Sequence, residues 1–188
     1  MKNGVFEIAF HSECGGISGL VLASDAHKMN FCRDGRAMSV LRGFALASFE
    51  QTEHFARAVS TLGGAEAVTE YFFDREDLVV RTILTNRNGY PMYFSNGDLC
   101  IEMPFNDAYE ASDICMRERC HTHIWAGLEN SYIRTERRGE SDRHVGLVFE
   151  KGSIHSYRQE DCNHSVRGHF ALNVSAFSLQ SGESYERC

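Results

Sequence analysis

Proline and tryptophan are almost missing from this chain: 188 residues hold two Pro and one Trp. An excess of basic charge is missing too. Nineteen Lys and Arg stand against 26 Asp and Glu, for a formal charge of -7 and a pI near 5.7. That balance argues against nucleic acid or an anionic membrane as the main partner. No apolar stretch approaches the roughly 18 consecutive residues of a membrane span. The N-terminal MKNGVFEIAFHSECGG has one Lys, then a Glu and a His inside its apolar part, so no secretory signal is visible. There is no Cys-x-x-Cys, no Gly-x-x-x-x-Gly-Lys-Ser/Thr, no Gly-x-Gly-x-x-Gly after a strand and no Gly-x-Ser-x-Gly. These absences remove zinc fingers, nucleotide-binding loops and the serine-hydrolase elbow.

What is present is ordinary globular material, 43% hydrophobic with 13 Phe and 7 Tyr, enough for one domain spanning residues 1–188 to bury a core. The cysteines, Cys14, Cys32, Cys100, Cys115, Cys120, Cys162 and Cys188, are odd in number. With no export signal they read as reduced thiols of a cytoplasmic protein, several of them core residues.

Short apolar alternation broken by Gly, Asn and Asp makes the chain all-β. Residues 4–10 put Phe6, Ile8 and Phe10 on one side and, with 17–25, form a hairpin. Residues 67–74 and 77–86 make a second hairpin through Arg75 and Glu76. Asn96-Gly97, between YPMYFS and DLCIEMPF, predicts a third, because both central residues of a type I′ turn need positive φ. SYIRTE and HVGLVFE flank the polar run 137–143, and HFALNVSAFSL (169–179) reads as one strand. Residues 51–62 fit a helix, with Phe55, Ala58, Val59 and Leu62 at helical spacing, as well as they fit a strand and loop. A short helical turn near 107–113 is a further candidate. The expected architecture is an antiparallel two-sheet β-sandwich with little helix. The chain ends just after the Ser181-Gly182-Glu183 turn, at the start of another strand. That predicts an excised N-terminal part of a longer protein.

The densest chemical cluster is Cys-His-Thr-His-Ile-Trp at 120–125. On a strand, His121, His123 and Trp125 share a face. Two such His suit a metal, as in cupin-like barrels, which follow His-x-His after three or four residues with a Glu. Here the next Glu is Glu129, so the spacing misses. A polar, aromatic-lined surface and a satisfied core His are the alternatives. Glu102, Asp107, Glu110 and Asp113 fall where a strand runs into a loop. A glycosidase needs two carboxyls facing each other across a sugar, whereas loop acids usually face solvent or cap a turn. Cys162-Asn163-His164 is adjacent in sequence, which does not bring a nucleophile to its base.

The ordered series Asn3-Gly4 before a strand, Gly15-Gly16-Ile17, Met29-Asn30-Phe31, Pro104-Phe105-Asn106-Asp107, Arg119 to Trp125, Gly146-Leu147, Lys151-Gly152-Ser153, Arg167-Gly168 and Ser181 to Tyr185 resembles the N-terminal β-sandwich of large bacterial six-hairpin glycosidase-like proteins. Such domains are of the galactose-mutarotase-like supersandwich class and precede an (α/α)6 barrel that carries the catalytic acids. The resemblance implies a non-catalytic domain of a glycoside hydrolase or phosphorylase, packing on a C-terminal catalytic domain of the same chain. It implies no cofactor and no metal, and an oligosaccharide as a candidate partner. His121, His123, Trp125, Asn106 and Asp107 are the expected substrate-binding or domain-interface residues. A stand-alone carbohydrate-binding or mutarotase-like domain is the alternative. Mutarotases use a His acid and a Glu base, and no Glu stands at a recognisable position here.

Overall fold

The computed structural model describes residues 1–32, 37–95, 98–103, 120–125, 132–137, 140–148, 156–162, 165–173 and 176–188. These residues form antiparallel strands and no helix, the expected all-β sandwich. The largest sheet comprises β4 (Ala45–Gln51), β5 (Phe55–Leu62), β6 (Ala65–Asp74), β7 (Asp77–Asn86) and β16 (Ser184–Arg187), in the order β16-β7-β6-β5-β4. A four-stranded sheet orders β13 (Ser156–Cys162), β14 (Ser165–Asn173), β9 (Cys100–Met103) and β3 (Val40–Leu41). A three-stranded sheet runs β10 (Cys120–Trp125), β11 (Tyr132–Arg137), β12 (Glu140–Val148). Two ribbons pair β1 (Phe6–Phe10) with β2 (Ile17–Leu22), and β8 (Met92–Phe94) with β15 (Phe177–Leu179).

The first two hairpins form as expected, the second turning through Arg75 at φ 56° with Asp74 opposite Asp77. The β11–β12 pair also forms, and most of its polar run is strand. One open alternative is decided and two expectations fail. Residues 55–62 are a strand between β4 and β6, so the helical reading of 51–62 is wrong. Ala56 and Ala58 are buried while Phe55, Arg57 and Val59 are half-exposed, a period of two. The helical match mixed the two faces.

The Asn96-Gly97 hairpin does not form either. β8 pairs with β15, while β9 lies between β14 and β3, so the two flanking strands join different sheets. Likewise 169–179 divides between β14 and β15, in different sheets. Residues 107–113, and Asn96 and Gly97 themselves, lie outside the described residues.

The β1–β2 hairpin can approach the large sheet because the sheet's inner face is lined with alanine. Ala56, Ala58, Ala65 and Ala67 are all buried. Phe10 sits between Phe49 and Tyr71, with ring centroids 5.4 and 4.9 Å away. At the hairpin turn, a Cβ on Gly15 would lie 2.7 Å from the Ala58 Cβ, and Gly15 has φ +67°. Polar side chains then shape the following loop. Asp25, 2% exposed, accepts from the amides of His27 and Met29, each at 3.0 Å. Asn30 accepts from Leu20 and Cys32 and donates to Ser18 O. Cys32 is a thiol buried in the core against Met38, in line with the expected core role.

A methyl group at Gly16 would meet the Val40 side chain and, at 2.7 Å, the Met38 carbonyl oxygen. Gly16→Ala should therefore destabilise the domain by about 1–3 kcal/mol, the usual cost of overpacking. Urea denaturation followed by circular dichroism measures this, and an unchanged midpoint would show that β3 yields freely.

Candidate functional site

The candidate strand β10 exists and is an outer strand of its sheet. Its register with β11 sets Trp125 opposite Tyr132, His123 opposite Arg134 and His121 opposite Glu136. Those rows continue onto β12 at Val148, Gly146 and His144. Tyr132 is 42% and Val148 69% exposed, and Gly146 and His144 are also exposed. The alternate rows turn inward: Val145 is buried and Leu147 half-buried, opposite Thr135 and Ile133. Trp125, His123 and His121 thus share register rows with Tyr132 and Val148, Arg134 and Gly146, and Glu136 and His144. Asn106 and Asp107 lie outside the described residues.

An arginine stands opposite His123 and Glu136 stands opposite His121; among the described residues no group of three or more His, Cys, Asp or Glu suited to a metal occurs.

Beside these rows a cleft of about 330 Å³ opens between β12 and β7, lined by Phe6, Leu78, Val80, Ile101 and Val145 to Val148. Ser39, Thr82, Asp77 and Arg187 supply its polar groups. Among its described lining residues Asp77 is the one acidic side chain. Glu102, considered above as an acid, accepts from Arg42 Nε at 2.7 Å, an ion pair at the sheet edge.

Sequence reasoning passed over one polar pair at the cleft. Ser39 holds the unfavourable φ of +65° and donates to the Met38 carbonyl at 2.5 Å. Its Oγ also lies 2.9 Å from the Tyr71 phenol oxygen. Tyr71 is 1% exposed. Burial pushes its phenol well above the ordinary range, against the lowering effect of the Ser39 hydrogen bond. A general base needs its pKa brought toward neutrality. This pair is therefore a buried structural contact. Its only signal in the sequence was the inward phase of Tyr71 in β6.

The Tyr71 shift has a consequence for alkaline stability. An unfolded tyrosine ionises near pH 10, whereas folded Tyr71 holds its proton to higher pH. The folded state then binds the extra proton, so its contribution is complete below about pH 10 and is lost as pH rises through the folded value. Tyr71→Phe should make stability fall less steeply with pH above about 10, read as urea midpoints across an alkaline series. Parallel slopes for both proteins would contradict the assignment.

No protein-family model matches the chain, and no curated protein matches it in sequence. Among solved structures it is similar to the polysaccharide lyase BACCELL_00875, with a TM-score of 0.83 and 25% sequence identity. The match covers 100% of this chain and 32% of that one. The chain spans about a third of the length of that lyase, and its all-β fold is that of a domain related to a carbohydrate-active enzyme.

Proposed function

We propose that the chain is a non-catalytic N-terminal β-sandwich domain of a carbohydrate-active enzyme, packing on and helping to shape a separate catalytic domain of helical-barrel type. The observation that carries this is the full coverage of the chain against a third of a polysaccharide lyase. A lyase as the similar structure, rather than a glycosidase, leaves the parent's chemistry at the level of carbohydrate cleavage.

Within this reading, the β10 strand contributes Trp125, His121 and His123 to a surface that meets the catalytic domain or borders its sugar cleft. Support comes from the register, which aligns Trp125 with the exposed Tyr132 and Val148. An aromatic face with polar neighbours suits a protein partner and a pyranose ring alike. Asn106 and Asp107 are assigned to the same surface from the sequence resemblance alone.

The single Trp makes the surface measurable. Trp125 emission should be red-shifted and open to collisional quenchers, and Trp125→Ala should cost under about 1 kcal/mol, against roughly 3–5 for emptying a core aromatic site. The same protein should release no new reducing ends or unsaturated products from alginate, polygalacturonate or xylan. A blue-shifted, unquenchable Trp would overturn the surface assignment, and turnover would overturn the non-catalytic role.

A further inference from the structure

Two tyrosines away from β10 are the most exposed aromatic side chains among the described residues. Tyr90 is 64% and Tyr93 69% exposed. They flank Pro91 and Met92, so their Cα atoms lie within about 11 Å by chain reach. They do not sit on a loose loop tip. Asn86, 0% exposed, donates through Nδ2 to the Tyr90 carbonyl at 2.8 Å and to the Leu179 carbonyl at 3.0 Å. Its Oδ1 accepts from the Asn88 amide at 2.9 Å. Tyr93 lies on β8, where Phe94 turns inward and stacks on Phe177 with centroids 5.1 Å apart. The inner side of the segment is thus pinned while both phenols stay in solvent.

We propose that Tyr90 and Tyr93 form a carbohydrate-binding platform, distinct from the β10 surface, that takes pyranose rings of an oligosaccharide chain. Tyrosine offers an apolar face with a hydrogen-bonding tip, which matches a sugar's C–H face and hydroxyl rim. The surroundings are polar: Arg87 pairs with Glu66 at 2.5 Å, and Asn88 donates to the Gly63 carbonyl. A protein interface of ordinary size needs about 800 Å² a side with a core depleted of charge. Two tyrosines among an ion pair and an amide suit a sugar better. Because the loop is already held in place, little ordering cost opposes binding. The proposal rests on the carbohydrate reading above and deepens it by naming a second, sugar-contacting site.

Affinity electrophoresis of the 188-residue chain in gels containing alginate, polygalacturonate or xylan tests it. The wild type should be retarded in at least one gel. Tyr90→Ala and Tyr93→Ala should each weaken binding about tenfold, and the double variant should abolish retardation. Tyr90→Phe should retain most binding, and all variants should keep the wild-type melting temperature because both side chains are exposed. His54→Ala, at the exposed turn between β4 and β5, should bind like the wild type. No retardation in any of the three gels would overturn the platform, as would a double variant retarded as strongly as the wild type. Loss of binding in Trp125→Ala alone would place the sugar on β10, sinking this proposal while leaving the proposed function standing.

Discussion

The structure turns on Asn86, a fully buried amide at the end of β7 where three segments of chain meet. Its backbone N–H donates to the Glu183 carbonyl at 3.0 Å and its carbonyl accepts from Gly182 at 2.9 Å, which fastens the turn leading into β16. Its side chain fastens the end of β15 and the loop leading to β8. A buried amide is costly unless its donors and acceptor are met, and here they are. One residue therefore ties the small β8–β15 ribbon to the five-stranded sheet. The residues joined to it through Nδ2 and by the β16 turn lie as far as 97 positions along the chain.

The other constraint is closeness. Alanine on β5 and β6, with Gly15 in the facing turn, lets the β1–β2 hairpin settle within contact of the sheet. Where the inner face holds small residues, the outer face holds charge. Arg57 and Arg81 flank Glu70 across neighbouring strands, and the Arg81 guanidinium, hydrogen-bonded to Glu70, stays above its ordinary pKa. The outer row is half in water and adds little stability. Burial of the inner one makes the core.

Local pattern carried the fold class and three of the pairings, because period-two alternation and a short turn are both contained within about twenty residues. It failed where partners are remote. Asn96-Gly97 is a strong turn signal, yet β8 and β9 find their neighbours some seventy or more residues later, at Phe177–Leu179 and Ser165–Asn173. No window of sequence contains that competition. The helix alternative at 51–62 failed for a related reason: Ala58 belongs to the buried face and Phe55 to the outer one, which only strand pairing decides. The candidate site was legible as a strand, and its histidines and Trp125 take one set of cross-strand rows. Tyr90 and Tyr93 escaped notice because exposure, not residue type, distinguishes them from the chain's other tyrosines.

Native-state hydrogen exchange on Asn86→Ala most directly tests the claim that this side chain ties the ribbon to the sheet. Amides of Met92–Phe94 and Phe177–Leu179 should lose protection by local opening, while those of β5, β6 and the first part of β7 keep theirs. Protection lost equally in all strands would show that Asn86 contributes only to global stability. Protection unchanged at β8 and β15 would show that the ribbon is held by its aromatic stack, and the account of Asn86 as the joint would be wrong.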